Sequence, residues 1–206
     1  MIRHVIFDFG QVLVRFDPAY MTGCIVGNAQ DARVVAEVLF DRLYWDRLDR
    51  GTISDRELLE DVCRRLPRRL HEPARQVYLH WPELLPPMPG MEELVTRLHR
   101  AGYDLYLLSN ISEGFARGYP RVESLRRLFS AFSGLVFSAP LHMVKPEPAI
   151  FGHLCRTYRL APEECLFVDD NAANIAGSEA VGIRGFLFEG NAAALSDHLR
   201  TMGLIF

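Results

Sequence analysis

The feature that most constrains this chain is a rhythm of apolar runs alternating with helical patterns. The runs are "HVIFDFG" (4–10), "YDLYLLSN" (103–110), "CLFVDDN" (165–171) and "IRGFLFEG" (183–190), with a weaker one, "SGLVFSAP" (133–140). Each later strong run follows a helical pattern: the amphipathic "PGMEELVTRLHRAG", then "PEPAIFGHLCRTYRL" and the glycine-closed "AANIAGSEAVG". Strand, helix, strand in succession predicts a parallel sheet covered by helices on both faces, an open Rossmann-like α/β core. Only residues 16–85 break the rhythm. They hold helix-like patterns ("DARVVAEVLFDRL", "SDRELLEDVCRRL", "EPARQVYLHW") and no strong strand, and the stiff return "LLPPMPG" follows at 84–90. The expected organisation is a core of residues 1–15 and 86–206, interrupted after the first strand by an all-helical cap of residues 16–85. Ser54 and Glu57 predict a capping box inside it.

Composition narrows the function classes. With 206 residues, 49% of them hydrophobic and 24% charged, the chain can bury a sizeable core. A formal charge of −3 and a pI near 6.2 provide no general pull toward nucleic acid or anionic membrane. No apolar run approaches the roughly 20 residues of a membrane span. The first strand begins within three residues of the N-terminus, which leaves no room for a signal peptide. Scattered cysteines without a C-x-x-C pair fit reduced thiols in a cytoplasmic protein. Scattered histidines with no i, i+4 pair argue against zinc. Oligomeric state is left between monomer and weak homodimer, with the apolar tail "MGLIF" free to pack on the core or on a partner.

In an open parallel sheet, ligands bind beyond the carboxyl ends of the strands, where strand order reverses. Those ends carry the polar residues of interest. The first strand ends in Asp8, the second in Ser109-Asn110, and the fourth in Asp169-Asp170, with Asn174 shortly after. Any one of these is ordinarily a cap or turn residue. Their collection on one edge is what points to a site. Lys145 joins them from the third connection. Of 23 basic residues it is the sole lysine, the rest being arginine. A compact ammonium sits as a point charge against a phosphate or carboxylate in a way that a guanidinium fork does not.

Asp8 with Asp170 offers hard oxygen ligands suited to Mg²⁺. Lys145 and Ser109 can hold an anion. Metal plus donors around a phosphoryl group is the recurring kit of phosphoryl transfer, and a carboxylate can serve as its nucleophile.

The ordered motifs "FDFGQVLV", "LLSN", "VKPEP" and "FVDDNAAN" resemble those of the haloacid dehalogenase-like (HAD) hydrolase superfamily over essentially the whole chain. Within it the pattern is similar to small bacterial phosphatases of α-D-glucose 1-phosphate, and to the phosphatase-like domain of some epoxide hydrolases. The resemblance implies a Mg²⁺-dependent phosphatase of small phosphorylated metabolites. It makes Asp8 the nucleophile and, with Gly10 through its carbonyl and Asp170, a metal ligand. Ser109, Asn110 and Lys145 would hold the phosphoryl group, with Asp169 and Asn174 in support.

Gly10 departs from that pattern. Most phosphatases of the superfamily have a second aspartate there, acting as general acid and then base, a role typically worth ~10²–10⁴-fold. Glycine is expected to let the backbone turn tightly toward the metal at the expense of that proton donor. Gln11 is a poor acid, and His142, near Lys145, is the candidate replacement. The dehalogenating branch also lacks the second aspartate but needs no Mg²⁺, so the paired acids here argue against it. The alternative to an enzyme is a catalytically weak module that binds a phosphorylated ligand or a protein. In the cap, Arg64/Arg68 and Arg65/Arg69 read as a solvated face, or else as a rim for an anionic substrate. Tyr44, Trp45 and Trp81 read as cap core, or else as a platform for a sugar ring.

Overall fold

A computed structural model describes all 206 residues. The chain opens with β1 (His4–Phe7) and passes through five helices: α1 (Pro18–Ile25), α2 (Ala29–Leu39), α3 (Arg42–Asp49), α4 (Asp55–Arg65) and α5 (His71–His80). It then runs α6 (Met91–Arg100), β2 (Asp104–Ser109), α7 (Glu113–Gly118), α8 (Glu123–Phe129) and β3 (Gly134–Phe137). The last part is α9 (Pro148–Tyr158), β4 (Cys165–Asp169), α10 (Ala172–Glu179), β5 (Arg184–Leu187) and α11 (Ala192–Thr201). All five expected strands form, and every pairing in the sheet is parallel, in the order β3-β2-β1-β4-β5.

Alternation along the strands explains why both faces must be covered. Val5, Phe7, Leu105, Leu107, Leu166 and Val168 bury into one layer, together with α6 and α11. Ile6, Tyr106, Leu108, Cys165 and Phe167 bury into the other, against α9. Full burial of a side chain such as Phe7 or Phe167 is worth roughly 1.5–3 kcal/mol, so the central strands hold the two layers together. The C-terminal tail closes on this core: Leu204 is buried, and Arg97 lies over the Phe206 ring.

Residues 18–83 contain helices and 3-10 turns but no strand, and they build their own apolar cluster around Val35, Leu39, Leu58, Val62 and Val77. The capping box forms: Ser54 N–H donates to Glu57 Oε2 at 2.8 Å, and Glu57 N–H donates to Ser54 Oγ at 3.2 Å. Pro67 ends the regular helix, so Arg64 and Arg65 lie on α4 while Arg68 and Arg69 lie on the following 3-10 turn.

One consequence of the strand order positions everything that follows. From β1 the sheet grows through β2 and β3 on one side and through β4 and β5 on the other. The reversal falls between β1 and β4, and their carboxyl ends flank the crevice where ligands bind in sheets of this kind.

Candidate active site

Asp8 stands immediately beyond β1, its N–H donating to the Val168 carbonyl at 2.9 Å, so the neighbouring strand fixes its height above the sheet. The chain then folds back. Gln11 N–H donates to the Val14 carbonyl at 2.7 Å, and Leu13 N–H to the Phe9 carbonyl at 2.9 Å. The strained step of this turn falls on Gln11, with φ of 58°. Gly10 is not left-handed, and a Cβ there would meet only Phe16 Cβ, at 4.0 Å. The tight turn expected of Gly10 is therefore made by Gln11, and the backbone at position 10 would accept a side chain. The Gly10 carbonyl accepts no backbone hydrogen bond.

Lys145 is sealed in place, with 1% of its side chain exposed. Its Nζ lies 2.7 Å from Asp8 Oδ1 and 2.7 Å from Asp169 Oδ2, and 5.3 Å from the centre of the Phe167 ring. Burial works against its charge, but the two carboxylates outweigh that and hold its pKa above the ordinary value. Two contacts set the loop that carries it. Asn110 forms a reciprocal pair with the Lys145 main chain, Oδ1 accepting from N–H at 2.8 Å and Nδ2 donating to the carbonyl at 3.0 Å. Gly177 of α10 lets the loop approach: a Cβ there would fall 2.5 Å from the Pro146 carbonyl oxygen.

Asp169 is saturated. Besides Lys145 it accepts from Asn171 N–H at 2.8 Å and from Asn174 Nδ2 at 3.1 Å to each oxygen. Asp170 is exposed at the cavity wall. Asp8 is pushed up to about 7 by burial; Lys145 opposes the shift and Asp169 adds to it. Burial raises Asp170 as well, again with Asp169 adding.

These groups suit a divalent cation. Asp8, Asp169 and Asp170 each bring a carboxylate oxygen to within 4.8 Å of the others, and Lys145 is the single ammonium against the three. The uncompensated negative charge, together with the unused Gly10 carbonyl, is an all-oxygen donor set of the kind Mg²⁺ takes. Asp169 is too occupied by its own donors to be a first choice, which leaves Asp8, Asp170 and the Gly10 carbonyl.

A cavity of about 270 Å³ opens over this cluster. Asp8, Gly10, Ser109, Asn110, Lys145, Asp170 and Asn174 all line it, and Asp169 lies just beneath. Ser109 makes no side-chain hydrogen bond within the chain, so its hydroxyl is free for a ligand. The Asn110 amide is not, because it is committed to the Lys145 main chain. The helical segment supplies the opposite wall with Phe40, Trp45 and Trp81, joined by Phe16. Trp45 and Trp81 are core of the helical segment, 7% and 3% exposed within a ring cluster, and they also border the cavity. Tyr44 takes no part, lying under Arg65 instead. None of Arg64, Arg65, Arg68 and Arg69 lines the cavity; Arg64 pairs with Asp61, Arg65 with Asp41 and Arg69 with Asp31. His142 is also displaced from its expected role. It is exposed, lies outside the cavity, and sets Nδ1 3.2 Å from the Arg50 carbonyl oxygen.

Three charged residues on the cavity wall are ones the sequence does not single out: Arg42, Asp46 and Asp49. With Trp45 they occupy positions i, i+3, i+4 and i+7 of α3, which is one helical face. That face mixes charge with an aromatic ring, neither a core stripe nor a plain solvated surface, and this was the available signal.

A family model described as haloacid dehalogenase-like hydrolase matches residues 2–182. A D-ribitol-5-phosphate phosphatase of Bacteroides thetaiotaomicron is 27% identical over 93% of this chain and 94% of its own length. A sesquiterpene phosphatase of Aspergillus oryzae is 24% identical over 89% of this chain and 88% of its own. In fold, the chain is similar to a HAD family enzyme of B. thetaiotaomicron solved with magnesium and inorganic phosphate. That match has a TM-score of 0.69 and 19% identity, covering 95% of this chain and 99% of that one.

Proposed function

Because the chain belongs to the haloacid dehalogenase-like hydrolase family, we propose that it is a Mg²⁺-dependent phosphatase of small phosphomonoesters, working through an aspartyl-phosphate on Asp8. Residues 16–85 act as its cap over a core of residues 1–15 and 86–206. The observation that carries the reading is the carboxylate–ammonium–carboxylate row of Asp8, Lys145 and Asp169 at the switch point of the sheet.

The chemistry follows from those residues. Asp8 Oδ attacks phosphorus while the ester oxygen leaves, and water later releases phosphate from the acyl phosphate. Lys145 neutralises the phosphoryl oxygens and Ser109 donates to one of them. Asn110 acts through Lys145, and Asn171 and Asn174 act through Asp169, by fixing the positions of those groups. Mg²⁺, held by Asp8, Asp170 and the Gly10 carbonyl, would supply Lewis-acid neutralisation of phosphoryl charge and keep Asp8 ionised against the effect of its burial.

The cavity, about 270 Å³, lies just under the roughly 300–1,000 Å³ usual for ligand pockets, which favours a small metabolite. Sugar phosphates are the substrate class we favour, glucose 1-phosphate among them. The ribitol-phosphate relative and the aromatic cap wall, which offers a ring edge to an apolar sugar face, support that choice. The test is phosphate release from a panel of sugar phosphates with and without Mg²⁺, beside Asp8→Asn. Mg²⁺-dependent release lost in Asp8→Asn is the expected result. No release from any ester would favour a module that binds a phosphorylated ligand or protein without turnover.

A further inference from the structure

The reading above leaves the leaving group without a proton source, because position 10 is glycine and His142 lies outside the cavity. Asp49 lines the same cavity as Asp8, and its Oδ1 is shut off from solvent with no hydrogen-bond partner. A buried carboxyl oxygen left unpaired is costly, so its retention on the wall of a site calls for a reason. Core contacts fix it there. The Ser138 hydroxyl donates to the Asp49 carbonyl at 2.6 Å, and Arg50 Nη1 lies 2.7 Å from Glu147 Oε1. Gly51, at φ +71°, sits so tightly on the core that a Cβ would fall 2.4 Å from the Ala139 carbonyl oxygen. The last turn of α3 and the residues after it are thus pinned to the connection that follows β3, and Asp49 is held on the cavity wall.

We propose, resting on the aspartyl-phosphate reading, that Asp49 is the general acid and base of this site, the role that Gly10 cannot fill. In the first step Asp8 Oδ bonds to phosphorus, the P–O bond to the leaving group breaks, and the Asp49 carboxyl proton passes to that oxygen, releasing the alcohol. In the second, the Asp49 carboxylate takes a proton from water as the water oxygen bonds to phosphorus. The bond from phosphorus to Asp8 then breaks, leaving phosphate, the Asp8 carboxylate and a reprotonated Asp49. The protonation state suits this task. Burial raises the Asp49 pKa to about 7, the charges of Asp46 and Asp8 act in the same direction, and Arg42 and Lys145 oppose. Such a group holds its proton near neutrality and gives it up readily.

The test compares benzyl phosphate, whose alkoxide must be protonated, with p-nitrophenyl phosphate, whose phenolate need not be, in single turnovers with Mg²⁺. Asp49→Asn is expected to slow benzyl ester cleavage ~10²–10⁴-fold. The first-turnover burst of nitrophenolate should fall by less than about tenfold, and Asp49→Glu should restore part of the benzyl rate. An equal fall on both esters, or no fall on either, overturns the proposal. So does a wild type that already cleaves benzyl phosphate no better than Asp49→Asn. Asp8→Asn should abolish both bursts; persistence there would refute the nucleophile while leaving the ester comparison readable. Should Asp49→Asn not fold, the wild-type ratio of benzyl to nitrophenyl rates decides. It should fall as pH rises through about 7, and a flat ratio would refute the assignment.

Discussion

Lys145 is the only lysine among 23 basic residues, and its surroundings say what an arginine there would do. Its ammonium lies 2.7 Å from one oxygen of Asp8 and 2.7 Å from one of Asp169, over the Phe167 ring, with 1% of the side chain exposed. Lys145→Met removes the charge and leaves two carboxylates facing each other. Breaking a buried ion pair in this way costs about 3–5 kcal/mol. Asp169 keeps its three donor contacts from Asn171 and Asn174, so the lower half of that range is expected. Lys145→Arg keeps the charge but forces a wide planar group into a space that fits a point, an overpacking cost of about 1–3 kcal/mol. Urea denaturation of the three proteins should rank wild type, Arg and Met in falling stability, and both variants should lose phosphatase activity. A Lys145→Arg protein within about 0.5 kcal/mol of wild type, the scatter of an ordinary surface change, and fully active, would refute the point-charge argument.

Other perturbations read other parts of the account. Gly10→Asp should fold with stability within about 0.5 kcal/mol of wild type, because the backbone there is not left-handed and the new Cβ meets only Phe16; a much larger loss in thermal melting would contradict that geometry. Gly177→Ala should cost about 1–3 kcal/mol, because its Cβ would press on the Pro146 carbonyl oxygen, and it should depress turnover through Lys145; an unperturbed melt and rate would show the loop to be free. The Asp49 pKa is raised from 3.8 to about 7 on folding. The native state therefore binds the extra proton, and stability should fall as pH rises from about 4 to about 7, then level off, with a full effect of up to about 4 kcal/mol. Asp49→Asn should remove this contribution, being more stable than wild type at pH 8 and equal to it near pH 4, as judged by denaturant midpoints; parallel curves at both pH values would contradict it.

The core was legible because its signals are local and redundant. The runs around Ile6, Leu107 and Phe167 are apolar throughout since both faces of the sheet are buried, and the helices between them carry their own stops. The edge residues Asp8, Ser109, Lys145 and Asp170 were legible for a related reason, since parallel strands deliver their carboxyl ends to one edge wherever the chain places them. What the sequence concealed depends on packing between distant segments. The contact of the end of α3 with the connection after β3, through Gly51 against Ala139 and Ser138 against Asp49, turns Arg42, Asp46 and Asp49 into cavity residues. The face of "RLYWDRLD" that mixes charge with Trp45 is unusual in itself, but only the distant contact says what it will meet. Asn110 was placed correctly at its strand end, but its amide is taken by the Lys145 backbone 35 residues away, a long-range pairing that no spacing rule reveals. At Gly10 the sequence misleads, because the left-handed residue of that turn is its neighbour Gln11.

The central claim is that Asp8 carries the phosphoryl group, and acid-quench mass spectrometry during turnover with Mg²⁺ tests it most directly. One phosphoryl adduct on the peptide containing Asp8, formed within the first turnover, discharged as substrate runs out and absent in Asp8→Asn, is the predicted result. Steady phosphate release with no adduct on that peptide, or with the adduct on another residue, would contradict the account.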